Sequence, residues 1–242
     1  MLPDHDAVEW IPATGTSPAV VLTCEHASER LPSPYAWPEE DARLAGTHWA
    51  FDLGIAPFAR ALAAELGAPA VLSRFSRLLV DPNRPLDAPT LFRDVADGAP
   101  VHLNTGLDAA ERAQRIERFY TPYHAACDAA VAQAPGAAVL GLHSYTPLYE
   151  GAPRAVEVGV LFEDDTDLGA AWLELLDGHG YDVRPNEPWS GLEGLMYSPQ
   201  LHARRHGRRA IELEIRNDLL ADPDQVARLV ALVAHAVRAT LP

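Results

Sequence analysis

The sequence predicts an α/β fold, namely a three-layer α/β/α sandwich around a mixed, mostly parallel sheet. Two observations support this class. Short apolar runs rich in β-branched residues alternate with longer stretches of helical spacing, as in strands joined by crossover helices. These runs carry few polar residues on either face, which is typical of strands covered by helices on both sides. The chain shows no internal repeat or linker, so we expect residues 1–242 to form a single domain.

The strands are predicted from the apolar runs and from short extended segments between the helices. The first run ends at Glu25 and His26, and a later one ends at His143. The predicted strands span residues 19–24, 69–75, 77–81, 137–142, 156–162, 181–184 and 210–216.

The helices are predicted from apolar residues at helical spacing. The clearest helix begins at Asp108, which can cap it, with Glu111 three residues later. The last helix is expected to open at Asp222 and Pro223, because proline fits the first helical position. The predicted helices span residues 49–66, 108–133, 166–176 and 222–239, and residues 82–100 and 185–200 are predicted to be long loops.

Composition excludes several classes of function. The 34 acidic and 19 basic residues give a net charge of -15, which repels phosphate backbones, so we expect no nucleic-acid partner. Every basic residue is arginine, which excludes a lysine Schiff base and a Walker-type phosphate loop. The acidic start does not resemble a signal peptide, and no apolar run reaches the roughly 20 residues that span a bilayer. A cytoplasmic protein without a membrane partner is therefore expected.

Polar side chains follow the ends of three predicted strands. His26 follows the first, His143 follows the strand at 137–142, and Glu212, Glu214 and Arg216 alternate with apolar residues along the last. Because the carboxyl ends of parallel strands share one edge of a sheet, we expect these side chains to converge there. The charged face of the last strand must then point into a polar cavity or lie on an exposed edge.

Two histidines and a carboxylate form a candidate metal site. His26 and Glu29 have the His-x-x-Glu spacing that can place two ligands on one ion, and His143 would supply a third. Three ligands and an open position suit Zn²⁺ or another divalent metal with a bound water, whose pKa would fall toward about 7. Glu214 is the candidate to take the proton from that water. Each histidine taken singly is more often an ordinary core or surface residue, so the prediction depends on their convergence.

A set of arginines is the candidate binding site for a carboxylate group of the substrate. It comprises Arg74, Arg77 and Arg84, with Asn83 beside the last, and guanidinium groups can bind carboxylates through two parallel hydrogen bonds. The alternative is surface ion pairing with the many acidic residues. Ser144 is a further candidate substrate-binding residue, but it faces away from the preceding histidine, so a serine triad is not indicated.

Segments along nearly the whole chain resemble the N-formylglutamate amidohydrolase family. The matching stretches are Cys24-Glu25-His26-Ala27-Ser28, Thr47-His48-Trp49-Ala50-Phe51-Asp52-Leu53-Gly54, Ser76-Arg77-Leu78-Leu79-Val80-Asp81-Pro82-Asn83-Arg84-Pro85, His143-Ser144-Tyr145-Thr146-Pro147, Asn186-Glu187-Pro188-Trp189 and Glu212-Leu213-Glu214-Ile215-Arg216-Asn217-Asp218-Leu219. Each piece alone is unspecific, whereas their order and spacing together are specific.

The resemblance implies a fold like that of the zinc-dependent exopeptidases and hydrolysis of the N-acyl bond of a small acidic amino acid, such as N-formyl-L-glutamate. It implies that Asn83 and Arg84 grip the substrate carboxylate. It also implies that Glu214, two residues before Arg216, is catalytic, and both residues are candidate catalytic residues. The resemblance favours Asp52 as the second metal ligand, whereas local spacing favours Glu29, and the sequence leaves both open.

Two other functions remain open from the sequence. One is another zinc carboxypeptidase or amidase of the same fold. The other is a non-catalytic protein that binds small acids through its arginines without a metal. The partner expected in the preferred case is a small N-acyl amino acid, and the sequence does not indicate an oligomeric state.

Overall fold

The structure is a computed structural model that describes residues 6–241. It contains a seven-stranded sheet with helices on both faces, which confirms the predicted α/β sandwich. The strands are β1 (Val8–Ile11), β2 (Val20–Cys24), β3 (Ala70–Ser73), β4 (Val95–Ala96), β5 (Ala99–Pro100), β6 (Ala138–Tyr145), β7 (Leu148–Tyr149), β8 (Ala152–Pro153), β9 (Val158–Leu161), β10 (Val183–Pro185) and β11 (Ala210–Arg216).

The sheet is mixed, as predicted. Its strands lie in the order β1-β3-β2-β6-β11-β9-β10, while β4–β5 and β7–β8 form separate two-stranded hairpins. The four strands β3, β2, β6 and β11 run parallel, whereas β1 pairs antiparallel with β3 and β9 pairs antiparallel with β11. The carboxyl ends of β2, β6 and β11 therefore meet at one edge of the sheet.

The helices begin where the sequence provides caps. Asp108 accepts a hydrogen bond from the backbone N–H of Glu111 (2.8 Å), and Asp222 accepts one from the backbone N–H of Asp224 (2.9 Å), with Pro223 in the first turn. The α-helices are α1 (Ile55–Leu66), α2 (Ala109–Arg115), α3 (Thr121–Gln133), α4 (Thr166–Leu176), α5 (Tyr197–His206) and α6 (Pro223–Thr240), and a π-helical turn (Ile116–Tyr120) joins α2 to α3.

Two apolar layers cover the sheet. Helices α1, α4 and α6 pack on one face, where Phe58 and Trp172 are fully buried. Helices α3 and α5 pack on the other face with Phe119 and Tyr123. Each fully buried side chain of this size contributes roughly 1.5–3 kcal/mol relative to leaving it exposed. Burial on both faces explains why the sequences of the strands are continuous apolar runs.

Strand β11 lies inside the sheet, between β6 and β9, so its charged face is not an exposed edge. In the pairing with β6, Glu214 lies beside His143 and Glu212 beside Gly141. Both glutamates are buried. Of the two possibilities that the sequence left open, the polar cavity is therefore the one observed for Glu214, which lines it, while Glu212 is buried beside it in the sheet.

Two predicted boundaries were wrong. The helix predicted to begin at residue 49 begins at Ile55, because the backbone N–H of Asp52 donates to the carbonyl of His26 (3.0 Å) and Gly54 has a positive φ of 77°. These features form a turn that points away from the helix axis. Residues 77–81, predicted as extended, form a turn in which the backbone N–H of Leu79 donates to the carbonyl of Ser76 (2.9 Å).

Several elements were missed, among them strand β1, helix α5 and the short hairpins β4–β5 and β7–β8. Strand β1 has only four residues and lies at an edge of the sheet. Helix α5 begins within the predicted loop at 185–200. Its arginines and histidines interrupt the helical spacing of apolar residues by which a buried helix is predicted. Within residues 6–241, no helix combines the length and the apolar character needed to cross a membrane.

Candidate active site

A cavity of about 770 Å³, including its open mouth, lies at the carboxyl ends of β2, β6 and β11. The predicted residues His26, Asp52, Arg77, Asn83, Arg84, His143, Ser144 and Glu214 line it, together with His48, Trp49, Arg93, Tyr145, Thr146, Tyr149, Arg154, Trp189 and Leu195, which were not predicted.

At the floor of the cavity, His26, Asp52 and His143 present ligand atoms that all lie within 4.8 Å of one another. Nδ1 of His26 lies 3.5 Å from Oδ1 of Asp52, and Nδ1 of His143 lies 2.9 Å from Oδ2 of the same carboxylate. All three side chains are almost fully buried. The two imidazoles therefore converge on one carboxylate from different strands.

Each histidine contacts a further carboxylate through Nε2, the ring nitrogen that faces away from Asp52 and is called here its outer nitrogen. Nε2–H of His26 donates to Oδ1 of Asp81 (2.8 Å), and Nε2 of His143 contacts Oε2 of Glu25 (3.1 Å). A proton on each Nε2 leaves the Nδ1 lone pair facing Asp52. Carboxylates that orient the outer nitrogen in this way are typical of histidines that bind metals.

This donor set fits a divalent metal. Two Nδ1 lone pairs that face carboxylate oxygens at 2.9 and 3.5 Å repel them unless a cation or proton lies between. Nδ1 of His26 is buried and, within residues 6–241, has no hydrogen-bond partner. Imidazole nitrogen and carboxylate oxygen are the ligands of catalytic zinc sites with three protein ligands. Burial raises the pKa of Asp52, but the imidazoles, where protons take the place of the metal, outweigh it and hold that pKa well below its usual value.

The turn before α1 positions Asp52. Its backbone N–H donates to the carbonyl of His26 (3.0 Å), and the backbone N–H of Ser144 donates to its Oδ2 (3.1 Å). The Ser144 hydroxyl itself donates to the carbonyl of Leu53 (2.8 Å) and does not contact a histidine as a serine nucleophile would. Ser144 therefore ties this turn to β6.

Glu29, the alternative second ligand, lies outside the His26–Asp52–His143 group. Its carboxylate accepts a hydrogen bond from the backbone N–H of Gly46, and it does not line the cavity. The His-x-x-Glu spacing fails to bring Glu29 to the site because residues 27–30 leave the strand end as irregular chain and not as a helical turn.

Glu214 faces the cavity from β11, and Glu212 lies deeper on the same face of the strand. Burial raises the pKa of Glu214 to about 7, and burial likewise raises the pKa of Glu212 well above its usual value. Within the described chain, the Oε2 atom of each is buried without a hydrogen-bond partner. Glu214 is therefore a carboxyl group that can gain or lose a proton near neutral pH.

Two glycines make room for these glutamates. A Cβ atom on Gly141 would lie 2.9 Å from Oε2 of Glu212. A Cβ atom on Gly159 would lie 3.3 Å from Cβ of Glu214 and would collide with the carbonyl of Glu187. The strands on either side of β11 thus need glycine where its carboxyl groups point.

The predicted arginines separate into two groups. Arg77 and Arg84 line the cavity. Arg77 is anchored to Asp81 (2.8 Å) and lies 3.6 Å from Asp52, so it is already paired with acids. Arg84 donates to the carbonyl of Asn83 (2.7 Å) and forms no ion pair within residues 6–241, so its charge is available to an anion.

Arg74 and Arg216 lie outside the cavity. Arg74 lies near Glu9, whose pKa it helps to lower. Arg216, predicted to be catalytic, forms ion pairs with Asp218 (2.8 Å) and Glu157 (3.2 Å). Although it shares a face of β11 with Glu214, it sits at the end of the strand, where its long side chain reaches these acids.

Sequence reasoning missed the residues that support the site. Asp81 lies inside a quoted motif and Glu25 directly precedes His26, yet only the tertiary contacts reveal that they hold the histidines. The hydroxyl of Tyr123 in α3 donates to Oε1 of Glu25 (2.9 Å). Burial would raise the pKa of Glu25, but His143 outweighs it and lowers the pKa to about 2.

We expect Asp81→Asn to weaken metal binding about 10- to 100-fold, because the loss of a carboxylate behind a ligating histidine has this effect in other metal sites. Zinc affinity, measured by competition with a chelating dye, tests this. Asp128→Asn is the matched control, since Asp128 contacts the buried His202 (2.7 Å) outside the cavity. Equal zinc affinity of Asp81→Asn and wild type would contradict the assignment.

Comparisons with known proteins agree with this fold. The model of the N-formylglutamate amidohydrolase family matches residues 18–221. The gene product Atu2144 from Agrobacterium tumefaciens is 34% identical, with 97% of this chain and 94% of that chain covered and a TM-score of 0.89. The N-formylglutamate amidohydrolase from Ralstonia eutropha JMP134 is 20% identical, with 97% and 98% covered and a TM-score of 0.72. No curated protein matches the chain.

The α/β sandwich, the buried His–Asp–His group at its strand ends and the family match define the class of this protein as an amidohydrolase. More particularly, the chain belongs to the N-formylglutamate amidohydrolase family, whose model extends over residues 18–221 of its 242.

Proposed function

We propose that the protein is a metal-dependent amidohydrolase that cleaves the N-acyl bond of a small acidic amino acid, with N-formyl-L-glutamate as the candidate substrate. The observation that carries this proposal is the convergence of two buried histidines on Asp52, each with its outer nitrogen on a carboxylate. Membership of the family supports the reaction and the candidate substrate.

His26, Asp52 and His143 would hold the divalent ion, for which Zn²⁺ is the natural candidate. A metal bound there would supply an activated water at neutral pH and would polarise the acyl carbonyl. Glu214 is placed to take the proton of the attacking water and to return it to the leaving nitrogen, because its pKa of about 7 lets it exist in both forms.

Arg84 would bind the α-carboxylate of the substrate. Its guanidinium forms no ion pair within the described residues, in contrast to Arg77, which is paired with Asp81 (2.8 Å) and lies 3.6 Å from Asp52. The amide oxygen of Asn83 accepts from the backbone N–H of Ser198 (2.9 Å), which fixes the loop that carries Arg84. Products would be a short acid, such as formate, and a free amino acid.

The test measures metal content and formate release on the same preparation. We expect about one zinc or similar ion per chain by mass spectrometry, formate release from N-formyl-L-glutamate, loss of activity on chelation and recovery when metal is restored. Binding of glutarate is measured before and after chelation. Folded protein that takes up no metal, releases no formate and binds glutarate equally in both states would instead be the non-catalytic acid-binding protein.

A further inference from the structure

Arg154 is a cavity residue that the proposed chemistry leaves unexplained. Its guanidinium lies against three aromatic rings, 4.4 Å from the ring centre of Tyr149, 4.8 Å from that of Trp189 and 5.5 Å from that of Tyr145. The rings of Tyr149 and Trp189 are nearly perpendicular, at 84°. These cation–π contacts hold the guanidinium against the aromatic side of the cavity.

The backbone around Arg154 is also fixed. Its N–H donates to the carbonyl of Pro147 (2.8 Å), which closes the β7–β8 hairpin. Arg216 donates to the carbonyls of Arg154 (3.3 Å) and Ala155 (2.9 Å). Because Arg216 is itself paired with Asp218 and Glu157, it anchors this segment. Arg216, predicted as catalytic, is better described as a residue that positions Arg154.

Arg154 forms no ion pair within residues 6–241, and the charges of Glu214 and Glu150 compensate it only in part, from further away. Burial lowers the pKa of this guanidinium from its usual value, as expected for a half-buried cation with little compensation. A charge left partly uncompensated inside a cavity is costly to the free protein, and an anionic ligand would remove that cost.

Arg84 and Arg154 both line the cavity without an ion pair within residues 6–241. A third such arginine, Arg93, donates to the carbonyl of Val95 (2.9 Å) and lies over the ring of Trp49. Arg84 and Arg154 come from different parts of the chain. Arg84 follows the turn at residues 77–81, whereas Arg154 follows the β7–β8 hairpin. Two arginines without ion pairs on one cavity suit a ligand with two anionic groups.

We propose that Arg154 is a specificity-determining residue that binds the side-chain carboxylate of the substrate while Arg84 binds the α-carboxylate. This inference rests on the proposed function and deepens it, since it restricts the substrates to N-acyl amino acids with a second carboxylate. The aromatic rings favour a planar carboxylate at the edge of the guanidinium, because its faces are already covered.

The main rival role for Arg154 is stabilisation of the charge that develops on the acyl oxygen. That role would be independent of the side chain of the substrate. The two roles therefore differ when the substrate's side-chain carboxylate is replaced by an amide of the same shape.

The experiment compares kcat/KM for N-formyl-L-glutamate and N-formyl-L-glutamine on wild type, Arg154→Gln and Arg154→Lys. We expect wild type to prefer the dicarboxylate about 10- to 100-fold, as for the loss of a hydrogen bond to a charged group. Arg154→Gln should lose most of this preference, chiefly through KM for the glutamate substrate. Arg154→Lys should keep part of it. Arg112→Gln is the matched control, since Arg112 lies 4.9 Å over the ring of Phe92 outside the cavity.

Each outcome decides the inference. An equal loss for both substrates in Arg154→Gln would assign the residue to the acyl oxygen or to folding, and it would overturn the inference without affecting the proposed function. The same holds if wild type shows no preference. If neither substrate is hydrolysed, the proposed function fails. Calorimetry with glutarate and its monoamide then tests whether Arg154 binds a second carboxylate. A preference for glutarate that Arg154→Gln abolishes would support the binding role, and equal binding of both compounds would overturn it.

Discussion

His26→Ala is expected to remove the bound metal and to lower kcat/KM for N-formyl-L-glutamate by about 1000-fold or more, since a metal supplies several kcal/mol of transition-state stabilisation and each 1.4 kcal/mol is a factor of ten. His26 contributes one of the two Nδ1 atoms that face Asp52. Its loss leaves two ligands, which hold a metal poorly. The variant also leaves Asp81 without its imidazole partner, although Arg77 still holds that carboxylate.

The measurements are metal content by mass spectrometry and formate release, with thermal unfolding to show that the variant is folded. His235→Ala is the matched control because His235 is exposed on α6, and it should keep both metal and activity. A folded His26→Ala variant that retains stoichiometric metal would contradict the His26–Asp52–His143 assignment. Retained activity without metal would contradict the metal-dependent mechanism itself.

Glu214→Gln is expected to lower kcat about 100- to 10,000-fold, which is the usual contribution of a general acid and base. Glutamine keeps the shape of the side chain but cannot exchange a proton. Because Glu214 lines the cavity and is not part of the His26–Asp52–His143 group, metal content should stay at the wild-type level. The combination of retained metal and lost turnover distinguishes this variant from His26→Ala.

Glu212→Gln is the comparison that isolates the position of the carboxyl group. Glu212 is buried on the same face of β11, and burial raises its pKa well above the usual value, so the neutral amide resembles its protonated form. It does not line the cavity, and we expect its effect on kcat to be less than about tenfold, in the range of an ordinary buried polar substitution. If Glu212→Gln lowered kcat as much as Glu214→Gln with metal retained, the assignment of the general base to Glu214 would be wrong.

Both expected effects depend on carboxyl groups that are buried within the sheet. Parallel strands buried on both faces are normally apolar, yet β11 places two carboxyl groups there. The sheet accommodates them because Gly141 on β6 and Gly159 on β9 leave space beside the strand. A side chain at either position would crowd a glutamate of β11. The site therefore needs these two glycines as well as its polar residues.

The sequence by itself determined the layers of the fold and the strand ends at which the site lies. Apolar residues at helical spacing predicted α4, and an alternating strand predicted β11, both with their observed bounds, because local periodicity and burial agree there. The convergence of His26, His143 and Glu214 followed from one rule, that parallel strands end at the same edge. Neither step needs contacts between distant parts of the chain.

Only the tertiary structure decided which carboxylate joins the two histidines and what each arginine does. Asp52 reaches the site because a turn bends residues 49–54 away from the helix that their spacing predicts, whereas Glu29 is directed to Gly46. In the same way, Arg216 forms ion pairs with Asp218 and Glu157, whereas Arg154 forms no ion pair within the described residues. Spacing along a chain gives the direction of a side chain within a regular strand or helix, but in loops the direction is set by hydrogen bonds and ion pairs with residues far away in sequence.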